Sequence, residues 1–440
     1  MNVVMIGTGY VGLVTGLGFA KLGHRVACVD TDVAKIARLD RGETPFYEPG
    51  LPELLREMQE AGRVVFATDL ADVIGGAEII MIAVGTPAGR DGFADLSYVE
   101  AAADCIGKLL DHEALVVLKS SVPVGTNRDV LARVRRAMGA AGREALTSVV
   151  TIASLPEFLR PGFALRDFME PDRVVIGADD AVAQQTLDRL HDGIKATRAF
   201  LSLESAELAK YAANALLATK VSFINEIANI AERTGADVRE VARAVGMDRR
   251  IGPHFLQAGI GYGGSCFPKD VSALHQMAGT TGYEFKLLSA VIEVNNAQRE
   301  RFVSRVAEEL DGVRGRRLAV WGLAFKGGTD DVRGSSAIDV VQRLVGLGAE
   351  IVAYDPEGME LARRTLPASV QFATTAVDAT TGADALLVLT DWPEFKDVSF
   401  AAVHDRMAEP RVFDGRNHLA DSGLKEFGFT YHGVGLGSRE

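Results

Sequence analysis

The run Gly7-x-Gly9-x-x-Gly12 constrains this chain more than any other feature, because of what flanks it. Residues 3–6 (Val-Val-Met-Ile) read as a buried strand, and an apolar, Ala/Gly-rich helix follows the glycines to about residue 22. Residues 25–30 read as the next strand, ending on Asp30. A glycine triplet alone is a weak signal. Strand, glycine turn, helix and a strand ending in Asp, in that order, specify the first half of a dinucleotide-binding sheet. Gly7 permits the tight turn, Gly9 lets a pyrophosphate approach, and Gly12 lets the helix pack closely on the sheet. The phosphates then meet the positive end of the helix. Asp30 is placed to accept hydrogen bonds from the adenosine ribose. With Asp32 nearby and no Arg beside it, a 2′-phosphate is repelled, so NAD is favoured over NADP.

At 440 residues the chain exceeds one ordinary core. Short apolar runs at 78–84, 115–119 and 149–152 continue the first sheet as parallel strands between helices. Residues 202–234 contain neither Pro nor Gly and predict one long helix. Its apolar residues wrap more than one face, as in a helix packed between two bodies. More helix is expected over 238–245 and, as one stretch, over 271–310. The pattern then restarts. Strands at 317–322, 350–355, 385–390 and 411–414, with a helix at 336–347, repeat the strand–helix–strand-Asp order without the glycine fingerprint. This predicts a second Rossmann-like domain for a different ligand. The expected class is α/β: two Rossmann-like doubly wound domains joined by a long central helix and an all-helical central region. The expected boundaries are 1–200, 201–311 and 312–440.

Chemistry concentrates in Gly261-Tyr-Gly-Gly-Ser-Cys266-Phe-Pro-Lys-Asp270. A cysteine in a glycine-rich loop, with Lys269 and Asp270 close behind, sits in a setting that favours thiolate. A buried turn cysteine is the alternative. Lys210 and Asn214, spaced i, i+4, project from one helix face and could hold an oxyanion. On spacing alone, however, a solvated helix face fits them better. Glu157 follows a strand end, where open α/β sheets bind ligands, and could position water or be a surface acid. Residues 119–126 offer hydroxyls at another strand end; Lys326, Arg333 and Arg416 offer cations for a phosphate.

The net charge of −12 argues against a nucleic-acid surface. Three cysteines, Cys28, Cys105 and Cys266, do not make a disulfide framework and suggest a reducing, cytoplasmic setting. No apolar run reaches the length of a bilayer span, and no signal-peptide pattern opens the chain. With no H-x-x-x-H or C-x-x-C pair, no metal is expected.

Taken together, these motifs resemble the UDP-glucose 6-dehydrogenases within the wider nucleotide-sugar dehydrogenases. The resemblance runs along nearly the whole chain: Gly7-Thr-Gly-Tyr-Val-Gly12, Phe46-Tyr-Glu-Pro-Gly-Leu51, Val84-Gly-Thr-Pro87, Asp91-Gly92, Ala94-Asp-Leu-Ser97 and residues 119–126. It continues through Pro156-Glu-Phe-Leu159, Glu207-Leu-Ala-Lys-Tyr-Ala-Ala-Asn214, the Cys266 loop, Phe325-Lys326 and Phe413-Asp-Gly-Arg416. The resemblance implies an NAD-dependent four-electron oxidation of UDP-glucose at C6 through a thiohemiacetal and a thioester on Cys266. It implies that Asp270 and Lys210 assist proton transfer and oxyanion stabilisation with Asn214. Glu157 and Ser121 would position the hydrolytic water, Ser121 standing where the family often has Thr. Cofactor positions fall on Gly7, Gly9, Tyr10, Val11, Gly12, Asp30, Lys35, Thr86, Ser121, Lys269 and Arg333. Substrate positions fall on Glu157, Phe158, Leu159, Arg160, Pro161, Lys210 and Asn214, on Phe255, Leu256, Gln257, Ala258, Gly259 and Gly263, and on Lys326 and Arg416. Arg250 matches an arginine that reaches across a subunit interface, and a homodimer through the central region is implied. GDP-mannose or a UDP-N-acetylhexosamine as substrate, or a silent homologue, are the alternatives. The chain departs from the family loop Asn-Pro-Glu-Phe-Leu-x-Glu-Gly at two positions. Leu155 replaces the Asn, and Pro161 replaces the second Glu, removing a carboxylate and a backbone donor.

Overall fold

The computed structural model describes residues 1–89 and 92–437; Asp91 of the Asp91-Gly92 motif lies outside them. The chain forms two compact units, residues 1–213 with 272–277, and residues 214–271 with 278–440.

The first unit is built on β1 (Asn2–Ile6), β2 (Arg25–Val29), β3 (Val64–Ala67), β4 (Ile79–Ile82), β5 (Leu115–Leu118), β6 (Thr151–Ser154), β7 (Arg173–Gly177) and β8 (Thr197–Leu201). Its helices are α1 (Tyr10–Lys21), α2 (Val33–Asp40), α3 (Leu51–Glu60), α4 (Ser97–Leu109), α5 (Thr126–Ala140), α6 (Ala164–Met169) and α7 (Ala181–Leu190). The sheet order is β3-β2-β1-β4-β5-β6-β7-β8, parallel throughout except where β7 meets β6. β4 (IIMI) and β5 (LVVL) are buried at every residue, as strands covered on both faces must be. The chain reverses direction in the sheet between β1 and β4, and ligands of doubly wound sheets bind at that switch point. Gly7 turns there with φ +101°, and a Cβ on it would stand 2.6 Å from the Ala83 carbonyl oxygen, so only glycine fits.

α8 (Leu203–Thr234) is the single long helix the sequence predicts, and α9 (Val238–Gly246) follows it. The stretch expected as one helix over 271–310 is instead two, α10 (Phe267–Thr280) and α11 (Lys286–Glu309). The break is a glycine C-cap. Gly282 adopts φ +77°, its N–H donates to Gly279 O (3.0 Å), and Tyr283 N–H donates to Ala278 O (3.0 Å). Those two bonds satisfy carbonyls of the last turn and redirect the chain.

The rest of the second unit carries β9 (Arg317–Trp321), α12 (Ser336–Gly346), β10 (Glu350–Tyr354), α13 (Met359–Arg363), β11 (Gln371–Phe372) and α14 (Ala376–Ala379). It ends with β12 (Ala385–Val388), α15 (Phe400–Arg406), β13 (Arg411–Asp414) and β14 (Thr430–Gly433). Its all-parallel sheet has the order β11-β10-β9-β12-β13-β14, the Rossmann winding repeated. Among the described residues no helix is long and apolar enough to cross a membrane.

Candidate active site

Three clusters carry the predicted residues. The first is the cradle at the β1–α1 turn. Nothing lies within 4 Å of where a Gly9 side chain would begin, so an approaching phosphate meets bare backbone at the N-terminus of α1. Asp30, just beyond β2, accepts from Thr8 N–H (2.9 Å), Thr8 Oγ1 (2.7 Å), Lys35 Nζ (2.8 Å) and Asp32 N–H (3.0 Å). Burial pushes its carboxyl up, but these donors outweigh that and hold it below the usual range. Thr86, beyond β4, donates to the Ser121 carbonyl (2.9 Å). Tyr10 donates to the buried carboxylate of Glu48, which also accepts from Gly162 N–H (2.6 Å) and Ala164 N–H (2.7 Å). The open Gly9 face, the helix terminus and the fixed Asp30 fit a dinucleotide.

The second Rossmann sheet shows the contrast. Asp355 ends β10 as Asp30 ends β2. Its oxygens, however, accept from Leu323, Ala324, Glu357 and Gly358 N–H groups and from Trp392 Nε1, at 2.6–3.2 Å. Asp355 is wholly buried. Five protein donors leave it no role for a ribose.

The second cluster, also in the first unit, surrounds a buried carboxylate. Glu157 lies three residues past β6 and is 5% exposed; Lys210 on α8 is 3% exposed. The solvated helix face that spacing favoured for Lys210 and Asn214 does not exist, since both are buried. Lys210 Nζ donates to Glu157 Oε1 at 2.7 Å, and Leu159 N–H donates to Oε2 at 2.6 Å. Burial raises the Glu157 carboxyl, but Lys210, the Leu159 amide and Lys119 outweigh it, so it stays ionised below its ordinary range. Lys119, immediately after β5, is equally buried, and no carboxylate lies within 4.0 Å of its Nζ among the described residues. Burial pushes it down from 10.5 to about 8, with Glu157 pulling up and Lys210 pushing down. Phe158 stacks under the Arg173 guanidinium (4.0 Å), with Lys210 Nζ at 5.5 Å.

Both loop departures have a structural outcome. Leu155 enters the hydrophobic core of this unit, and its N–H still pairs with Leu118 O at 2.9 Å. Pro161 precedes Gly162, whose N–H is held by Glu48, so the loop is anchored without the missing carboxylate. Arg160 forks onto Asp167 (2.8 and 2.6 Å).

The third cluster lies in the second unit. Cys266 is the N-cap of α10 and so stands at the positive end of that helix, without a side-chain capping hydrogen bond. Asp270, one turn on and fully buried, accepts from Asn214 Nδ2 (2.6 Å) and Lys269 Nζ (2.6 Å), fixing both side chains. Arg333 is held by Asp331 (2.7 and 2.8 Å), which raises its guanidinium; the Cys266 sulfur adds in the same direction, placing Arg333 within electrostatic reach of it. Phe267 packs against Phe255 and Tyr262. Phe255 adopts φ +63°, a strained conformation for an aromatic residue and a mark of functional loops. Leu256 and Ala258 are buried in the core, whereas Gln257 and Arg250 are exposed, Arg250 forking onto Asp248. Gly263 packs against the Gly334 carbonyl, leaving no room for a side chain. Lys326 lies 5.8 Å from the Phe325 ring centroid. Arg416 donates to three carbonyls, Leu389 (3.0 Å), Gly261 (3.1 Å) and Phe325 (3.3 Å).

The other cysteines are structural by contrast. Cys28 is wholly buried, which pushes its thiol up to about 12, and burial also raises Cys105.

The sequence reading missed two buried groups. Lys119 passed as part of a hydroxyl loop. Glu207 accepts from Gly125 N–H, Asn127 N–H and Asn127 Nδ2 at 2.7–2.8 Å, tying the start of α5 to α8. A charged residue inside an apolar helix face was the available signal for Glu207.

The comparisons agree with this architecture. Profiles of the UDP-glucose/GDP-mannose dehydrogenase family match as its NAD binding domain over residues 1–195, its central domain over 204–297 and its UDP binding domain over 319–421. The chain belongs to this family. It is an NAD-dependent oxidoreductase. Similar family members include a UDP-glucose 6-dehydrogenase of Bacillus subtilis, 46% identical, with 99% of this chain and 93% of that one covered. One of Pseudomonas aeruginosa is 43% identical, with 99% and 97% covered. The solved structure of a UDP-glucose dehydrogenase from Pyrobaculum islandicum superposes with a TM-score of 0.90 at 39% identity, covering 99% of this chain and 98% of that one.

Proposed function

We propose that this family member oxidises UDP-glucose twice at C6, giving UDP-glucuronate. The observation that carries this reading is Cys266 at a helix N-terminus beside Arg333, in a chain 43–46% identical to UDP-glucose 6-dehydrogenases. NAD, when bound at the β1–α1 turn, supplies the hydride acceptor for each oxidation. Gly7, Gly9, Tyr10, Val11, Gly12, Asp30, Lys35, Thr86 and Ser121 are the residues we assign to hold it, with Lys269 and Arg333. The Cys266 thiolate adds to the C6 aldehyde carbon, forming a C–S bond and an oxyanion. Lys210 and Asn214 donate to that oxyanion, and Asp270 keeps the Asn214 amide turned. Loss of the second hydride leaves a thioester. Glu157 and Ser121 orient a water that cleaves the C–S bond, releasing the carboxylate and returning the thiol. The helical and UDP-binding segments, 201–311 and 312–440, carry the substrate positions Phe255, Leu256, Gln257, Ala258, Gly259, Gly263, Lys326 and Arg416, and Phe158 to Pro161 complete the set.

We also assign a homodimer. Leu216, Phe223 and Ile230 are exposed on α8 at seven-residue intervals, an apolar stripe suited to a second copy, and Arg250 is exposed to reach across. The sparse, odd set of three cysteines supports a cytoplasmic setting.

The test is NADH formed per nucleotide sugar consumed, with UDP-glucose, GDP-mannose and UDP-N-acetylhexosamines compared. Two NADH per UDP-glucose is expected. Cys266→Ser should abolish steady-state turnover, and full NADH production by that variant would refute the covalent route.

A further inference from the structure

The loop from Gly259 to Gly264 is buried yet has no regular structure. Its backbone groups therefore need partners that neither a helix nor a sheet supplies. Arg416 and the Gly415 and Gly334 carbonyls serve Gly261, Ile260 and Gly264, and side-chain amides of two helices serve Gly259 and Tyr262. Asn225 Oδ1 on α8 accepts from Gly259 N–H (2.9 Å), and Gln298 Nε2 on α11 donates to Gly259 O (3.0 Å). Asn295 on α11 grips Tyr262 at both ends, accepting from its N–H (2.8 Å) and donating to its carbonyl (3.1 Å). Asn229 Nδ2 donates to Gln298 Oε1 (3.2 Å), which sets the orientation of the Gln298 amide. Gly261 makes the grip possible: its φ is +94°, and a Cβ there would stand 2.6 Å from Asn295 Oδ1.

All four amides are buried, and Asn225 Nδ2 has no hydrogen-bond partner among the described residues. Two helices pack more cheaply through Leu and Ile than through amides with an unpaired donor. What the amides achieve that Leu could not is to hold peptide groups. The peptides they hold lie between the substrate positions at 255–259 and Cys266.

We propose that Asn295 and Gln298, supported by Asn225, are positioning residues that fix the Gly259–Tyr262 backbone for sugar-nucleotide binding and for presentation of Cys266. This rests on the function assigned above. Asn295→Asp keeps the acceptor for Tyr262 N–H but sets a second oxygen against its carbonyl. Gln298→Leu removes the donor to Gly259 at similar volume and carries the test if Asn295→Asp fails to fold. Each should raise the KM for UDP-glucose about tenfold while the KM for NAD, most of whose assigned contacts lie in the first unit, changes by less than about twofold. Without substrate, the rate of iodoacetamide alkylation of Cys266, followed by mass spectrometry of its peptide, should change at least about threefold. Equal rises in both KM values would show general loosening and overturn the proposal. Unchanged KM values and alkylation in a folded variant would overturn it too. If the unmodified enzyme turns over no nucleotide sugar, the assigned function fails, and the alkylation rate alone decides the positioning role.

Discussion

Replacing Lys119 with Met should make the protein more stable at neutral pH, an unusual outcome for a residue beside a candidate active site. Lys119 is 7% exposed, and burial is the main cause that lowers it from 10.5 to about 8. Glu157 and Lys210 face it, and burial, with a smaller contribution from Lys119, pushes His191 down to about 4. The sign follows from linkage. Below pH 8 the lysine is charged in both states, and the folded state bears the full desolvation penalty. Above pH 8 the folded protein sheds the proton that the unfolded chain keeps up to pH 10.5, and the penalty fades. At about 1.4 kcal/mol per pH unit, the cost at pH 7 is about 3 kcal/mol, falling to about 1.4 kcal/mol at pH 9.5. Met fills a similar volume without the charge. Lys119→Met should therefore raise the unfolding temperature of the first unit by about 6–10 °C at pH 7. Calorimetry of both proteins at pH 7 and pH 9.5 tests this, with the gain shrinking by more than half at the higher pH. A variant that melts lower at pH 7, or an advantage independent of pH, would refute the argument. A stabilised variant with lost turnover would identify Lys119 as a residue kept for chemistry at a cost in stability.

Glu207→Ala should leave the Gly125 and Asn127 N–H groups without their acceptor. The expected loss is about 2–3 kcal/mol, read as a lower urea midpoint for the first unit. Leu155→Asn restores the residue common in the family loop but buries an amide in an apolar core. It should destabilise by about 1–3 kcal/mol with little change in kcat, and a neutral melting temperature would show that the loop can turn the amide outward. Asp30→Asn should weaken NAD binding at least about tenfold while leaving the nucleotide-sugar KM nearly unchanged, because Asp30 serves only the first unit's turn.

The fold was legible where one signal sufficed. Gly7, Gly9, Gly12 and Asp30 state the Rossmann turn directly, and the Pro- and Gly-free run of α8 states a long helix. The division of 267–309 into α10 and α11 was not legible, because Gly282 acts through a cap geometry that an isolated glycine only hints at. β7 (RVVIG) and β8 (TRAFL) were also passed over. They are short, and β8 is only half-buried, so neither stands out by period. At the candidate site, Cys266, Asp270 and Glu157 stand out as candidates by residue type beside glycine or a strand end. Lys210 and Asn214 were misleading by spacing, because i, i+4 polar pairs describe an exposed helix equally well, and only tertiary packing buries these two. Lys119 and the amides at 225, 295 and 298 gave no local signal. Their roles come from what the fold sets opposite them.

Asp30 and Asp355 show how far a motif can be trusted. Both end the second strand of a Rossmann winding, and both receive backbone N–H groups from the turn after the first strand. At the first turn, glycines keep the backbone bare and the carboxylate is partly exposed, so a ribose can be served. In the second, the chain reads Gly322-Leu-Ala rather than Gly-x-Gly, and Leu323, Ala324, Gly358 and Trp392 close over the carboxylate. The same acid at the same topological position is a candidate ribose acceptor in one copy and an internal brace in the other. What separates them is the second glycine: Gly9 leaves the first turn open, whereas Leu323 and Ala324 turn their N–H groups onto Asp355 in the second. A second Rossmann winding in a sequence therefore predicts a second dinucleotide only when its own turn keeps that glycine.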